Sequence, residues 1–221
     1  MNTAPENSTN PVTAAHRTNL DLATLPCEHP EWTKAPPTHI TRQWSGENAP
    51  ESRHAEARIL WSEESLAVRF VCRQLEPLIV SADPQLDRKT IGLWHRDVCE
   101  IFIAPDLEMP GRYFEFEAAP SGEWLDLAIS LTPAGRETDW EFHSGMTTTA
   151  RITPEQLTIA MRIPWSASIP RPQPGGKWRI NLFRCIGQGD ERYLAWQPTY
   201  TAVPNFHVPE VFGWLRFAAK Q

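Results

Sequence analysis

The chain has 221 residues, long enough for one sizeable core. Its net charge is −6, its pI is about 5.7, and its 21 Lys and Arg are scattered, so no basic stripe exists to neutralise a phosphate backbone. No apolar run approaches the length that spans a bilayer, and nucleic acid and membrane are both set aside as partners. The content of 10 Trp and 21 Pro is high. Dense proline punctuates loops and stops helices, whereas excess Trp serves a thick core or a ligand platform equally well.

In chain order, residues 1–20 (MNTAPENSTNPVTAAHRTNL) read as a disordered polar tail, with neither the charged nor the apolar region of a secretory signal. On that ground a cytoplasmic location is expected. Residues 21–221 form the single folded domain. Cys27–Pro37 is a proline-bounded loop whose Trp32 plugs one end of the core. Short strand patterns follow at regular spacing. Ala57–Trp61 and Leu66–Arg73 flank the turn SEES and predict a hairpin. Val98–Ala104 puts Cys99, Ile101 and Ile103 on one face and Val98, Glu100 and Phe102 on the other. Tyr113–Ala118 alternates Phe114 and Phe116 against Tyr113, Glu115 and Glu117. In Trp124–Ser130, Leu125, Leu127 and Ile129 face inward. Met146–Ile152, Gln156–Ile163, Lys177–Ile186, Tyr193–Trp196 and Phe212–Phe217 complete the set. No sustained helical period interrupts it. The expectation is an all-β antiparallel sandwich of nine to eleven strands, immunoglobulin-like or jelly-roll in topology.

The four cysteines have no CxxC spacing, and three fall inside apolar strand patterns, where a reduced thiol packs as a small hydrophobe. The seven histidines show neither HExxH nor a paired Cys/His spacing, so zinc is unsupported. A haem site would need two axial ligands, for example Met161 with His143 or His207. Met161 falls on an apolar face with Leu157, Ile159 and Ile163, which reads as core. A glycosidase would need two carboxyls set across the scissile bond. Asp97, Glu100, Glu115, Glu117 and Asp126 are numerous enough for that, but no spacing among them is diagnostic.

Two lead-ins carry the strongest signal. LWHRDVCEIFIAP (Leu93–Pro105) and PNFHVPEVFGWLRF (Pro204–Phe217) each place an aromatic residue, Trp94 or Phe206, in a turn before an apolar strand. Glu100, mid-strand among apolar residues, needs either solvent or a partner. Sharing a face with Tyr113, Glu115 and Glu117 can form an acceptor rim for hydroxyl groups or part of a divalent-cation site.

WHRDVCEIFIAP, the YFEFE strand and NFHVPEVFGWLRF together resemble the carbohydrate-binding module family 9-like domain, a β-sandwich in the broad DOMON-like group of sugar- and haem-binding sandwiches. The resemblance runs from about Cys27 to the C-terminus, and Glu31–Trp32 is similar to the opening of such domains. It implies a sugar held between aromatic walls, with Trp94 as one wall and Glu100 bonding sugar hydroxyls. The opposite wall, a Trp in sugar-binding members, is Phe206 here. A family Arg corresponds to Glu117, which exchanges a donor fork for an acceptor. Some members hold calcium. It is therefore a candidate cofactor here, although the matching loops carry no obvious oxygen-ligand cluster.

The expected function is non-catalytic recognition of a carbohydrate, at a chain end or free, tied to carbohydrate catabolism. Trp94 and Phe206 would stack, Glu100, Glu115 and Glu117 would accept, and Arg96 and Asn205 would donate at the rim. The alternatives are a structural or protein-interaction sandwich, a haem-binding electron-transfer domain and a small glycoside hydrolase.

Overall fold

The computed structural model describes residues 11–17 and 25–219. The described chain carries fourteen strands. The first seven are β1 (Val12–His16), β2 (Thr38–Ile40), β3 (Arg42–Gln43), β4 (Ala55–Trp61), β5 (Ser65–Arg73), β6 (Val98–Ala104) and β7 (Arg112–Ala118). The rest are β8 (Trp124–Thr132), β9 (Gly135–Asp139), β10 (Thr147–Ile152), β11 (Gln156–Pro164), β12 (Lys177–Cys185), β13 (Tyr193–Ala195) and β14 (Gly213–Phe217). The helical segments among the described residues are short 3-10 turns, and none could cross a membrane.

The strands run in the order β10-β11-β5-β4-β1-β14-β12-β6-β7-β8-β9, with β2 on β4 and β13 between β12 and β3. The hairpin around SEES forms as β4–β5, with Trp61 opposite Leu66. The count exceeds the expected nine to eleven because β1, β2, β3 and β9 went unread. Three of these are too short or too polar for alternation to mark: β9 is GRETD, without one apolar side chain. The fourth, β1, corrects the reading of residues 1–20 as a disordered tail. Its small, weakly apolar VTAAH conceals a strand buried at four of five positions. Residues 1–10 and 18–20 lie outside the described residues.

Strand β1 also breaks the expected all-antiparallel pattern. Val12–Ala14 run parallel to Leu215–Phe217 of β14, and Ala15–His16 run parallel to Leu60–Trp61 of β4. It thereby joins two strand sets that share one apolar core. Ile59, Val68 and Phe70 come from one set and Ile101, Ile180 and Leu182 from the other. Each such side chain contributes about 1.5–3 kcal/mol when fully buried. Cys72 of β5 and Cys99 of β6 face each other across this core with their Sγ atoms 3.5 Å apart, and all four cysteines are free.

Trp32 does not plug the end of that core. It packs with Leu60, Ala67 and Ala160 on the opposite face of β4, β5 and β11, donates from Nε1 to the Pro26 carbonyl at 3.0 Å, and lies under the Arg69 guanidinium. Loop residues Leu25 to Ala35 close that outer face.

Two residues hold the ends of the sheet. Arg184 of β12 is buried and donates to the carbonyls of Arg53, His54 and Arg73 and to Gln74 Oε1, at 2.7–3.1 Å. One side chain thus ties β12 to the ends of β4 and β5. Gly213 opens β14 because the Trp196 ring lies across it: a Cβ there would sit 2.2 Å from the ring edge. Arg184→Leu, which strips a donor from three carbonyls and from the buried Gln74 amide, should cost about 3 kcal/mol or more in urea unfolding. Gly213→Ala should cost about 1–3 kcal/mol by overpacking, and the loss should be recovered in the double variant with Trp196→Leu.

Candidate functional site

The site lies on the face of β6, β7, β8 and β12 that turns away from the central core. Strand alternation puts Cys99, Ile101, Ile103, Phe116 and Phe114 toward that core and sends Val98, Phe102 and Tyr113 to the other side. Leu125, Leu127 and Ile129, expected to face inward, belong to this second side. There they form a smaller apolar cluster with Phe183 and Phe212. A face that an antiparallel sheet would ordinarily leave to water is therefore largely buried.

Three carboxyl groups are caught in it. In the β6–β7 register Glu100 stands opposite Glu117, and Glu115 stands opposite Phe102, one step along. All three are buried, and their oxygens approach within 4.8 Å of one another. Cys185 Sγ donates to Glu100 Oε1 at 3.3 Å. Both Glu117 oxygens and Glu115 Oε2 meet no donor beyond the trio itself. Burial, and then the neighbouring Glu115 charge, push the Glu100 carboxyl up to about 8. Burial likewise raises Glu115, against opposing contacts with Glu117 and Arg136, and raises Glu117 well above the usual carboxylate range. Like charges this close cannot all ionise in a dry site, so the trio retains protons.

Above the trio opens a cavity of about 260 Å³. Glu100 and Glu115 reach its surface beside Phe102, Leu127 and Ile129. Trp94 and Trp140 contribute one aromatic group, with ring centroids 6.5 Å apart and planes inclined by 40°. Phe206 contributes another: it stacks on Phe183 at 3.9 Å and meets Tyr193 edge-on at 5.8 Å. Strand β9 adds Arg136 and Thr138. His207 completes the wall. Its Nδ1 is 2.8 Å from the Tyr113 hydroxyl, and burial first, then the Arg136 charge, lower its pKa to about 3, so the ring is neutral.

The Trp94 lead-in is held by its neighbours. Gly92 enters the 3-10 turn Leu93–His95 at φ 83°, a left-handed conformation that suits glycine. Arg192 donates to the carbonyls of Trp94 (3.2 Å) and Arg96 (2.7 Å). Asp97 accepts from the backbone N–H groups of Ile79 and Gly187 at 3.2 and 2.8 Å, which makes the Asp of the Trp-x-x-Asp run a fastener for two loops.

Of the residues singled out from sequence, Trp94, Phe206, Glu100, Glu115 and Asn205 line the cavity. Glu117 lies beside them, fully buried, and does not reach its surface. Arg96 is elsewhere: it forms an ion pair with Glu123, both carboxylate oxygens within 2.8 Å of Nη1. Sequence reading passed over Trp140, Arg136, Thr138 and Tyr193 and considered His207 only for haem. A Trp following the polar run GRETD was the one available signal for Trp140. Met161 belongs to the central core, whereas His207 lines the cavity, so the two do not meet.

An acidic, proton-holding floor thus lies beneath several aromatic rings on one face of an all-β domain. The chain belongs to the family described as carbohydrate family 9 binding domain-like, whose model matches residues 28–219. Among curated proteins no sequence matches it. A candidate carbohydrate-binding protein of Bacteroides uniformis superposes with a TM-score of 0.67 at 17% identity, over 94% of this chain and 99% of that one. A family 9 carbohydrate-binding module of Caldicellulosiruptor kristjanssonii is similar in two solved structures, both at 15% identity and over 96% of this chain. The complex with glucose gives a TM-score of 0.62 over 97% of its chain, and the complex with cellotriose gives 0.63 over 95%.

The raised Glu100 pKa sets a pH dependence. The folded state binds a proton that the unfolded state releases near the ordinary carboxylate value, so this contribution to stability is full at low pH and is lost as pH rises to about 8. Glu100→Gln removes it. The melting temperature of Glu100→Gln relative to the native chain should therefore climb between pH 5 and pH 9 in thermal scans. A flat difference would mean that Glu100 carries no bound proton.

Proposed function

We propose that this chain is a non-catalytic carbohydrate-binding β-sandwich that takes one sugar ring, free or at a chain end, into the cavity beside Trp94. The observation that carries the reading is the pairing of Trp94, Trp140 and Phe206 with the Glu100 and Glu115 carboxyls around a single cavity of about 260 Å³. The C–H groups of a pyranose ring lie against aromatic faces, while its hydroxyls need polar partners at the edge. A carboxyl that keeps its proton donates as well as accepts, so Glu100 can serve a hydroxyl in either sense. Trp94 and Phe206 act as stacking walls in this reading, with Trp140 extending the Trp94 side and Asn205 at the rim. Glu117 supports Glu100 from beneath. The glucose and cellotriose complexes of the Caldicellulosiruptor module lend the ligand class its support. Such a domain would act next to carbohydrate-degrading enzymes.

The arrangement favours binding over hydrolysis. A glycosidase sets its two carboxyls on either side of the scissile bond. Here Glu100, Glu115 and Glu117 stand together on two adjacent strands, within 4.8 Å of one another. Calcium fits poorly for a related reason. It takes six to eight oxygen ligands, and this trio has carboxyls held toward their protonated forms beside a thiol and aromatic rings.

Intrinsic Trp fluorescence titrated with glucose and cellotriose tests the proposal. Saturable changes are expected, because Trp94 and Trp140 both line the cavity. Trp94→Ala should weaken binding at least tenfold while leaving cooperative thermal unfolding intact. Were that variant to lose cooperative unfolding instead, Trp94 would be a core residue and the stacking role would fall. Flat titrations of folded native protein across a broad glycan panel would point to an interaction module.

A further inference from the structure

The cavity floor carries more acid than a neutral sugar requires. Three carboxyls converge there, and Glu115 Oε2 and both Glu117 oxygens, all deeply buried, meet no donor outside the trio. Among the described residues that line the cavity, the one permanent cation is Arg136, on the exposed strand β9. His207, whose Nε2 is 3.9 Å from Glu115 Oε2, is neutral and offers no countercharge. Arg192, which acts on Glu100 from a distance, gives its Nη1 and Nη2 donors to the carbonyls of Trp94 and Arg96.

We infer that the ligand brings the missing cation: the cavity selects a sugar bearing a free protonated amino group, a hexosamine, over its neutral or N-acetylated counterparts. This rests on the carbohydrate reading of the same site and narrows it. An ammonium group supplies three donors, enough for the unpartnered Oε2 of Glu115 and for Glu100. It also sits well over an indole face, and Trp94 and Trp140 provide two. A bare metal ion suits the site less. The cavity is far larger than one ion, and most of its wall is aromatic or aliphatic carbon that offers no ligand atom. At about 260 Å³ it lies just below the range of ~300–1,000 Å³ that holds drug-sized ligands, which fits one substituted ring.

The charge balance gives the inference a signature. Near pH 7 the free trio holds protons, because burial and mutual repulsion favour the neutral forms. An arriving ammonium stabilises a carboxylate, so a carboxyl proton leaves to the buffer as the ion pair forms. The groups that face the trio are Cys185 and Arg192 at Glu100, and Arg136, His207 and Tyr113 at Glu115. Of these His207 is already neutral, so the released proton is assigned to the glutamates.

Isothermal titration of the full chain at pH 7 with glucosamine, N-acetylglucosamine and glucose tests this, repeated in two buffers of different ionisation enthalpy. Glucosamine should bind at least tenfold more tightly than either counterpart. Its heat should change with the buffer in the sense of proton release, whereas the heat of glucose should not. In Glu115→Gln, checked for folding by thermal unfolding, the glucosamine-to-glucose affinity ratio should move toward one. Because the proton-release signal is read on native protein, the test does not depend on that variant folding. Glucose or N-acetylglucosamine binding as tightly as glucosamine overturns the inference and leaves the carbohydrate reading in place. Silence with all three sugars and with cellotriose overturns both.

Discussion

Strand β6 sends Cys99, Ile101 and Ile103 into the central core and Val98 and Phe102 into a second apolar cluster, so Glu100, between them, has no route to open water except through the cavity. An ionised carboxylate there would carry a penalty of several kcal/mol. The antiparallel register then sets Glu117 opposite Glu100 and leaves Glu115 one step away, which concentrates three such groups at one point. Retained protons and an opening onto the cavity are the ways this cluster is tolerated. The site's chemistry follows from two strands being in register.

The surrounding structure keeps that cluster in place and presents the aromatic rings above it. Arg184 anchors β12 to the far ends of β4 and β5, while Cys185, next in sequence, points the other way and donates to Glu100. Arg192 fastens the Trp94 turn through two carbonyls, and Asp97 fastens the loops around Ile79 and Gly187. Phe206 has a different kind of support: its ring rests flat on Phe183, a residue of the sheet itself. One ring is thus positioned by a turn and one by stacking on a strand. The parallel insertion of β1 between β4 and β14 joins the two strand sets whose shared core lies behind all of this.

Much of this was legible in the chain. The alternation of YFEFE separated Phe114 and Phe116 from Glu115 and Glu117, and VCEIFIA did the same for Glu100, because a period of two is a local property of extended backbone. Ten strand patterns, the SEES hairpin and the core placement of Met161 follow from the same regularity. Strand β1 escaped because Ala and Thr carry little apolar signal, and its pairing is with residues about 45 and 200 positions away. Arg96 was read as a rim donor from its place in the motif, yet Glu123 holds it away from the cavity.

By itself the sequence determined which residues share a strand face, that the fold is all-β, and that a Trp-led and a Phe-led turn each precede an apolar strand. Only the tertiary structure decided that the face bearing the glutamates is buried too, that their oxygens converge, and that Trp140, Arg136 and His207 join Trp94 and Phe206 around one cavity. The reason is physical. Side-chain alternation is encoded by neighbours along the chain, whereas strand register, loop cover and desolvation depend on which distant segments pack together.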